Sequence, residues 1–535
     1  MSIKIIAFST AAALLVLFNV AQSAPERLLL VRADTAQGAV EGEARGKVVS
    51  FLDIPYAAPP MGDLRFRAPQ PPAGWSGVRP AVDMGPACPQ LIDSDPTENS
   101  ESVMAEDCLS LNIWTPRVDA GRRPVMFWIH GGAYVVGAAR NTWYQGDRLA
   151  AHGDVVVVTI NYRLGAWGFL ALGSFDKSYA VSANAGVLDQ IAALRWVKNN
   201  IARFGGDPDN VTIFGESAGA SSVGNLLAMP QAKGLFSKAI LESGLPSRGS
   251  PEAPRRREQM ATEFMKLAGV RLPAELKTKS MAQLLKAQER LFASHGDIGS
   301  FGPSIDGVVI KDEPFAAVLE GRASRVPILI GTTLQEMRYF STAEDLGIES
   351  KPRNLLLTQL SSVVGAGRAP EVLDVYQRLY PDWGDTVVQI ASDALERLPS
   401  IRLAERVAAH QPVYMYLFTY ISNSTYKKFG SAHAMELPFV FGTVDLPETI
   451  VFTGRDPRRY ELADRVMESW SAFARSGNPT TKEGPNWPIY DPVRRTTMEL
   501  GPQIRTVDDP LSEQRKIWGD ASTIVGRAWA LLTEN

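Results

Sequence analysis

The sequence predicts an α/β fold in which a mostly parallel central sheet is flanked by helices. Three observations carry that prediction. Pro124-Val125-Met126-Phe127-Trp128-Ile129 and Val155-Val156-Val157-Val158-Thr159-Ile160 are continuous apolar runs, the pattern of strands covered on both faces. Between Asn184 and Phe204 the residues Leu188, Ile191, Leu194, Val197 and Ile201 recur at helical spacing, so an amphipathic helix leads back to the next strand. That strand, Val211-Thr212-Ile213-Phe214, is broken by Gly215 and followed by small residues. Further runs at Ala239 to Leu241, Ile328 to Ile330 and Val413 to Phe418 read as later strands. In such a sheet the reactive groups belong at the carboxyl ends of the strands.

Residues 1–23 are expected to stand apart from this fold. They carry one charge, Lys4, then an apolar run from Ile5 to Val20, then Ala21-Gln22-Ser23, the layout of a signal peptide cut after Ser23. An uncleaved anchor is the alternative. No later apolar segment approaches the roughly 18 residues a membrane helix needs. The remainder, 24–535, shows no linker, repeat or low-complexity tract and reads as a single large domain with insertions. A net charge of -3 and 21% charged residues give no excess that would attract nucleic acid. The triplet Arg255-Arg256-Arg257 reads as a solvated helix start. The two cysteines, Cys88 and Cys108, lie close together in a chain that looks exported, which predicts one disulfide. Without a nearby histidine they make a poor zinc site.

Gly215-Glu216-Ser217-Ala218-Gly219 fits the G-x-S-x-G nucleophile elbow of α/β-hydrolases. A serine projecting from a strand-to-helix corner needs strained backbone angles and small neighbours. The helix that starts there aims free N–H groups toward any negative charge forming nearby. Earlier, His130-Gly131-Gly132-Ala133 follows the first buried strand directly. Serine acyl transfer builds charge on the former carbonyl oxygen, and backbone amides fixed in such a turn meet it without reorganising. Gly132, Ala133 and Ala218 are therefore the expected oxyanion donors.

Five histidines compete for the role of base. His130 lies in the glycine turn and His152 in a loop before a strand, and both precede Ser217, whereas this fold runs serine, acid, histidine. His410 reads as a helix-terminal cap. His433, in the loop after the Val413 strand, is favoured over His295. Between nucleophile and base, the stretch after Ile328-Leu329-Ile330 places Glu336 just past a strand end. Its carboxylate would fix the imidazole tautomer. Asp306 is the rival, although Asp-Gly more often marks a turn.

With those residues in hand, the chain resembles the type B carboxylesterase family, which includes the cholinesterases. The resemblance rests on FLDIPYAAPP, LRFRAPQPP, EDCLSLNIW, WIHGGA, NYRLGAWGFL and DQIAALRWVKNNIARFGGDPDNVTIFGESAGA, and more thinly on FGPSIDG, GTTLQE and AHAMELPFVFG. It implies an α/β-hydrolase fold whose helical insertions form a gorge or cap, and hydrolysis of small-molecule carboxylic esters by Ser217, Glu336 and His433. No metal or cofactor is implied. Also implied are the Cys88 to Cys108 bridge, ion pairs Arg65 with Glu106 and Arg163 with Asp189, and Ser243 supporting the triad from behind. A binding or adhesion protein on the same scaffold, or a hydrolase of amides, carbamates or lactones, remains the alternative.

Departures from the family bear on substrate. No aromatic residue lies between Pro89 and Asp107, where the choline esterases carry a tryptophan that holds quaternary ammonium, so choline esters are not the expected substrates. Asp297-Ile298-Gly299-Ser300 replaces acyl-pocket aromatics, and Met337-Arg338 follows Glu336. Arg338 or Asp297 selecting a charged substrate is set against an exposed loop charge. Tyr134, Tyr339, Phe340 and Phe441 are candidates to line the gorge.

Overall fold

A computed structural model of the chain describes residues 29–91, 103–249, 253–295, 299, 301–342, 347–426 and 428–519. The expected leader, Asp297 and Ser300 lie outside the described residues. The strands in chain order are β1 Leu29–Asp34, β2 Ala39–Arg45, β3 Val48–Pro55, β4 Val78–Pro80, β5 Ser110–Thr115, β6 Arg123–Ile129, β7 Val156–Ile160, β8 Gly206–Glu216, β9 Lys238–Glu242, β10 Ile328–Thr333, β11 Val413–Phe418, β12 Thr496–Leu500 and β13 Arg505–Asp508.

They form one sheet in the order β1-β2-β3-β5-β7-β6-β8-β9-β10-β11-β12-β13, with β4 beside β2. From β7 through β12 every pairing is parallel. Antiparallel pairs close both sides. All the expected runs are strands of this sheet. The antiparallel β1 to β5 margin was not among them: β1 is mostly exposed, and polar residues interrupt the apolar pattern of β2, β3 and β5.

Side-chain alternation explains why the central runs are apolar throughout. Val125, Phe127 and Ile129 of β6 and Val156, Val158 and Ile160 of β7 point into one core, together with Ile191, Leu194 and Val197 of the Ala185–Asn200 helix and Val223 and Leu226 of the Ala218–Ala228 helix. Met126, Trp128, Val157 and Phe214 point the other way, against Leu462, Val466, Trp470 and Phe473 of the Arg458–Ser476 helix. Every second residue is thus buried on each side, as a sheet covered twice demands. At about 1.5–3 kcal/mol per large side chain removed from water, these two cores hold rigid the strand ends from which the site is built.

Candidate active site

Strand β8 delivers Ser217 to a sharp corner with φ 56° and ψ −122°, a conformation that a non-glycine residue keeps only when its surroundings impose it. The Ser217 N–H donates to the Glu242 carbonyl at the end of β9 (2.9 Å), and the Ala218–Ala228 helix begins at the next residue. A Cβ on Gly219 would lie 2.0 Å from the Ile129 carbonyl oxygen, and one on Gly215 2.6 Å from the same atom. The helix start therefore crosses directly over the end of β6, and the two flanking glycines are what allow it.

The turn after β6 packs against this corner. A Cβ on Gly131 would stand 3.2 Å from the Ser217 Cβ and 2.8 Å from Glu216 Oε2. Gly132, Ala133 and Tyr134 take φ values of 96°, 51° and 64°, and the Gly132 carbonyl accepts from the N–H groups of Val135 and Val136 at 2.9 and 3.0 Å. Among the described residues, no protein acceptor takes the N–H of Gly132, Ala133 or Ala218. His130 is used otherwise. Its Nδ1 lies 2.8 Å from the Gly131 carbonyl, its ring stacks on Tyr162, and burial pushes its pKa down to about 4.

Glu336 follows β10 in a tight turn and is fully buried. Its Oε1 accepts from the Thr333 N–H at 2.6 Å and the Ser243 hydroxyl at 2.7 Å, while Oε2 lies 2.6 Å from His433 Nδ1. The His433 N–H also donates to the Glu336 carbonyl at 3.2 Å. The other edge of the imidazole faces the elbow: Nε2 is 3.0 Å from Glu216 Oε1, the residue before Ser217, without hydrogen-bond alignment. No hydrogen bond joins Nε2 to the Ser217 hydroxyl in this conformation. Burial disfavours charge on His433, but the carboxylates of Glu216 and Glu336 outweigh it, and its pKa lies well above 6.5.

Behind the site lies a group of acids whose part in it was not read from the sequence. Glu436 accepts from the Tyr416 hydroxyl at 3.1 Å, and burial, with repulsion from Glu336 and Glu216, raises its pKa to about 8. Glu242 accepts from Trp470 Nε1 at 2.6 Å and is likewise held well above the usual carboxylate range, first by burial and then by Glu436. Glu216 and Glu436 sit inside the GESAGA and AHAMELPFVFG segments, and for Glu216 and Glu242 the signal available was an acid at the end of an apolar run.

The other sequence expectations divide. Cys88 and Cys108 are bonded, with Cα atoms 5.1 Å apart. Arg65 reaches Glu106 at 2.6 and 2.9 Å, and Arg163 reaches both Asp189 oxygens at 2.7 Å. Asp306 caps a turn, its Oδ1 accepting from the N–H groups of Val308, Val309 and Ile310. His295 closes a surface helix and lies 2.7 Å from Glu263, whereas it is His433 that meets Glu336.

Some expectations are corrected. His152 lies in the Asp147–Gly153 helix, not in a loop. The triplet does open a helix, Ala253–Leu267, with Arg255 and Arg256 exposed, but Arg257 folds back to donate to the Gly302 and Pro303 carbonyls. Arg338 is neither exposed nor free for a substrate, since it is buried and its two terminal nitrogens are committed to Glu349 and Asp385. Phe441 is core, packed on Trp128 and Phe214, whereas the Phe340 ring does face the site, 5.3 Å from His433.

Comparison with known proteins gives the family. The model of the carboxylesterase family matches residues 30–518. The chain is 40% identical to para-nitrobenzyl esterase of Bacillus subtilis over 489 residues, covering 90% of this chain and 97% of that protein. With liver carboxylesterase 1 of Oryctolagus cuniculus it shares 34% over 533 residues, covering 90% and 92%. Among solved structures, the Geobacillus stearothermophilus carboxylesterase at pH 6.2 superposes with a TM-score of 0.81 at 39% identity, covering 91% of this chain and 99% of that one. The chain therefore belongs to the carboxylesterase family and is an α/β-hydrolase that cleaves carboxylic esters.

Proposed function

We propose that ester hydrolysis runs through an acyl-enzyme on Ser217, with His433 as base and Glu336 as the group that orients it. As Ser217 Oγ attacks the ester carbonyl carbon, its proton passes to His433 Nε2, and the charge formed on the carbonyl oxygen is met by the N–H groups of Gly132, Ala133 and Ala218. Collapse breaks the bond to the leaving alkoxide, which takes the proton from Nε2. Water then repeats both steps on the acyl-enzyme and regenerates the serine. The supporting observation is the fixation of Glu336, with one oxygen held by Thr333 and Ser243 and the other on His433 Nδ1. That bond keeps the Nδ1–H tautomer and leaves Nε2 as the acceptor on the elbow side. The gap to the serine hydroxyl is closed by side-chain rotation, as catalytic contacts commonly tighten only with substrate bound.

We further propose that the protein is exported after loss of residues 1–23. The leader pattern and a bonded Cys88–Cys108 pair both favour an oxidising compartment. Among the described residues no helix is long and apolar enough to cross a membrane. The substrates are small-molecule esters other than choline esters, given the lack of aromatic residues between Pro89 and Asp107.

A panel of p-nitrophenyl esters of graded acyl length, run on the wild type and Ser217→Ala, tests the reading. The alanine variant is expected to lose about a millionfold in kcat. Hydrolysis by that variant at the wild-type rate would overturn it.

A further inference from the structure

The turn that carries the proposed oxyanion donors is held at its far end by a side chain with no part in the reaction as written. Gln90 lies two residues past Cys88 and is buried, with 1% of its surface exposed. Its Oε1 accepts from the Gly137 N–H at 2.8 Å, and its Nε2 donates to the Gly137 carbonyl at 3.0 Å. Nε2 also donates to the Cys88 carbonyl at 3.1 Å. The amide therefore pairs with both backbone groups of Gly137, and its remaining donor goes to a residue that the Cys88–Cys108 bond fixes. An amide buried so completely belongs where its hydrogen bonds are made. Mere filling of the space would be served by a methionine.

Gly137 is where the turn closes on itself. With φ 109° it passes over His130, so near that a Cβ there would stand 2.4 Å from His130 Nδ1 and 2.8 Å from the Gly131 carbonyl oxygen. Between these ends Ala133 and Tyr134 hold φ values of 51° and 64°, which side-chain-bearing residues keep only when their surroundings fix them. On the near side the Tyr162 hydroxyl donates to the His130 carbonyl at 2.9 Å, and the Gly165 N–H donates to the Tyr134 carbonyl at 2.8 Å. On the far side stands Gln90. Two residues further on, Asn161 accepts from the Ala139 N–H at 2.8 Å and donates to the Pro86 carbonyl at 2.9 Å, so the chain beyond the turn stays docked without Gln90. What Gln90 sets is the turn itself.

Resting on the proposed role of Gly132 and Ala133 as oxyanion donors, we infer that Gln90 is a positioning residue for ester hydrolysis. Its clasp on Gly137 aims those two amides at the point where charge forms on the carbonyl oxygen. Such donors are effective because they are in place before the charge appears, and a misplacement of about 1 Å in a reacting constellation costs about a hundredfold in rate. Loss of the clasp weakens binding of the transition state. The ground-state ester meets the turn as a neutral carbonyl and is bound almost as before.

The test is Gln90→Met, which keeps the bulk and removes all three hydrogen bonds, assayed with p-nitrophenyl butyrate. Two inhibitors of the same carbon chain are compared, a trifluoromethyl ketone and the corresponding trifluoromethyl carbinol. Ser217 Oγ adds to the ketone carbon, its proton passes to His433, and the carbonyl π pair becomes a negatively charged oxygen at the turn; the carbinol cannot react. In the variant kcat should fall about 10- to 100-fold while KM stays within about threefold. The Ki of the ketone should weaken by the same factor as kcat/KM, with that of the carbinol unchanged. Gln90→Glu keeps the acceptor for the Gly137 N–H and loses both donors, so it should fall between, and it supplies the same comparison where the methionine variant does not fold. A kcat within about threefold of wild type, a loss confined to KM, or ketone and carbinol weakened alike would overturn the inference. The oxyanion reading is tested apart from it in the wild type, where the ketone should bind at least about a hundredfold tighter than the carbinol. Equal binding there would sink that reading whatever Gln90 does.

Discussion

His433 Nε2 lies 3.0 Å from Glu216 Oε1. At that distance the Glu216 carboxylate favours a proton on Nε2 and so the charged form of the ring. The raised pKa of His433 agrees: burial opposes the charge, and Glu216 and Glu336 together prevail. For His433 to serve as base, that proton must first leave.

The rate should therefore rise with pH through a pKa above 6.5, not through the 6 to 7 range of an unperturbed imidazole. Glu216→Gln removes the carboxylate that contributes most to raising it, so the rising limb of kcat/KM should move to lower pH. A limb unmoved in the variant would show that Glu216 does not keep the His433 ring charged.

Ser243→Ala takes from Glu336 Oε1 one of its two donors, at 2.7 Å, and leaves the Thr333 N–H. A hydrogen bond to a charged group is worth about 1.5–3 kcal/mol, so kcat should fall by about 10- to 100-fold. Since Ser243 acts through Glu336, KM should change little and the pH profile should shift with kcat. Loss confined to KM would contradict a positioning role.

The elbow glycines should be intolerant. Gly219→Ala sets a methyl 2.0 Å from the Ile129 carbonyl oxygen, and overpacking of rigid structure costs about 1–3 kcal/mol or more. A lowered denaturation midpoint with little residual activity is expected, read by denaturant titration and ester assay together.

Stability should fall with rising pH. Glu242, Glu396 and Glu436 have folded-state pKa values above their unfolded one, Glu436 at about 8. A carboxyl raised in this way stabilises the fold below its unfolded pKa of about 4.5, and that contribution is lost as pH climbs through the folded value. Tm should accordingly drop between pH 5 and 8, and Glu436→Gln should flatten the drop by a few °C. A Tm that climbed over that interval would contradict the burial of these acids as neutral groups.

Reducing the chain or replacing Cys88 and Cys108 by serine opens a closure of sequence separation 20, which should cost about 3 kcal/mol by loop entropy. Thermal melts with and without reductant measure it.

The central sheet was legible because strands buried twice have no choice but to be apolar, as Val155 to Ile160 shows. Chain order alone pointed to Ser217, Glu336 and His433 as the triad proposed here, each lying past a strand end. Glu242 and Glu436 could not be found in this way. What marks them is burial beside one another and near Glu216, which arises only once distant strands and loops pack together. Arg338 failed for the converse reason: its position after Glu336 suggested a specificity residue, but its partners Glu349 and Asp385 lie on elements whose docking no local pattern reveals.

The convergence of Ser217, Glu336 and His433 is tested most directly by trapping the covalent intermediate. Rapid quench of the wild type with p-nitrophenyl acetate, followed by peptide mass analysis, should find one acetyl group per chain on the peptide containing Ser217, accumulating in His433→Ala far more slowly and absent from Ser217→Ala. A stoichiometric acetyl group on any other residue, formed and lost at the rate of turnover, would contradict the account.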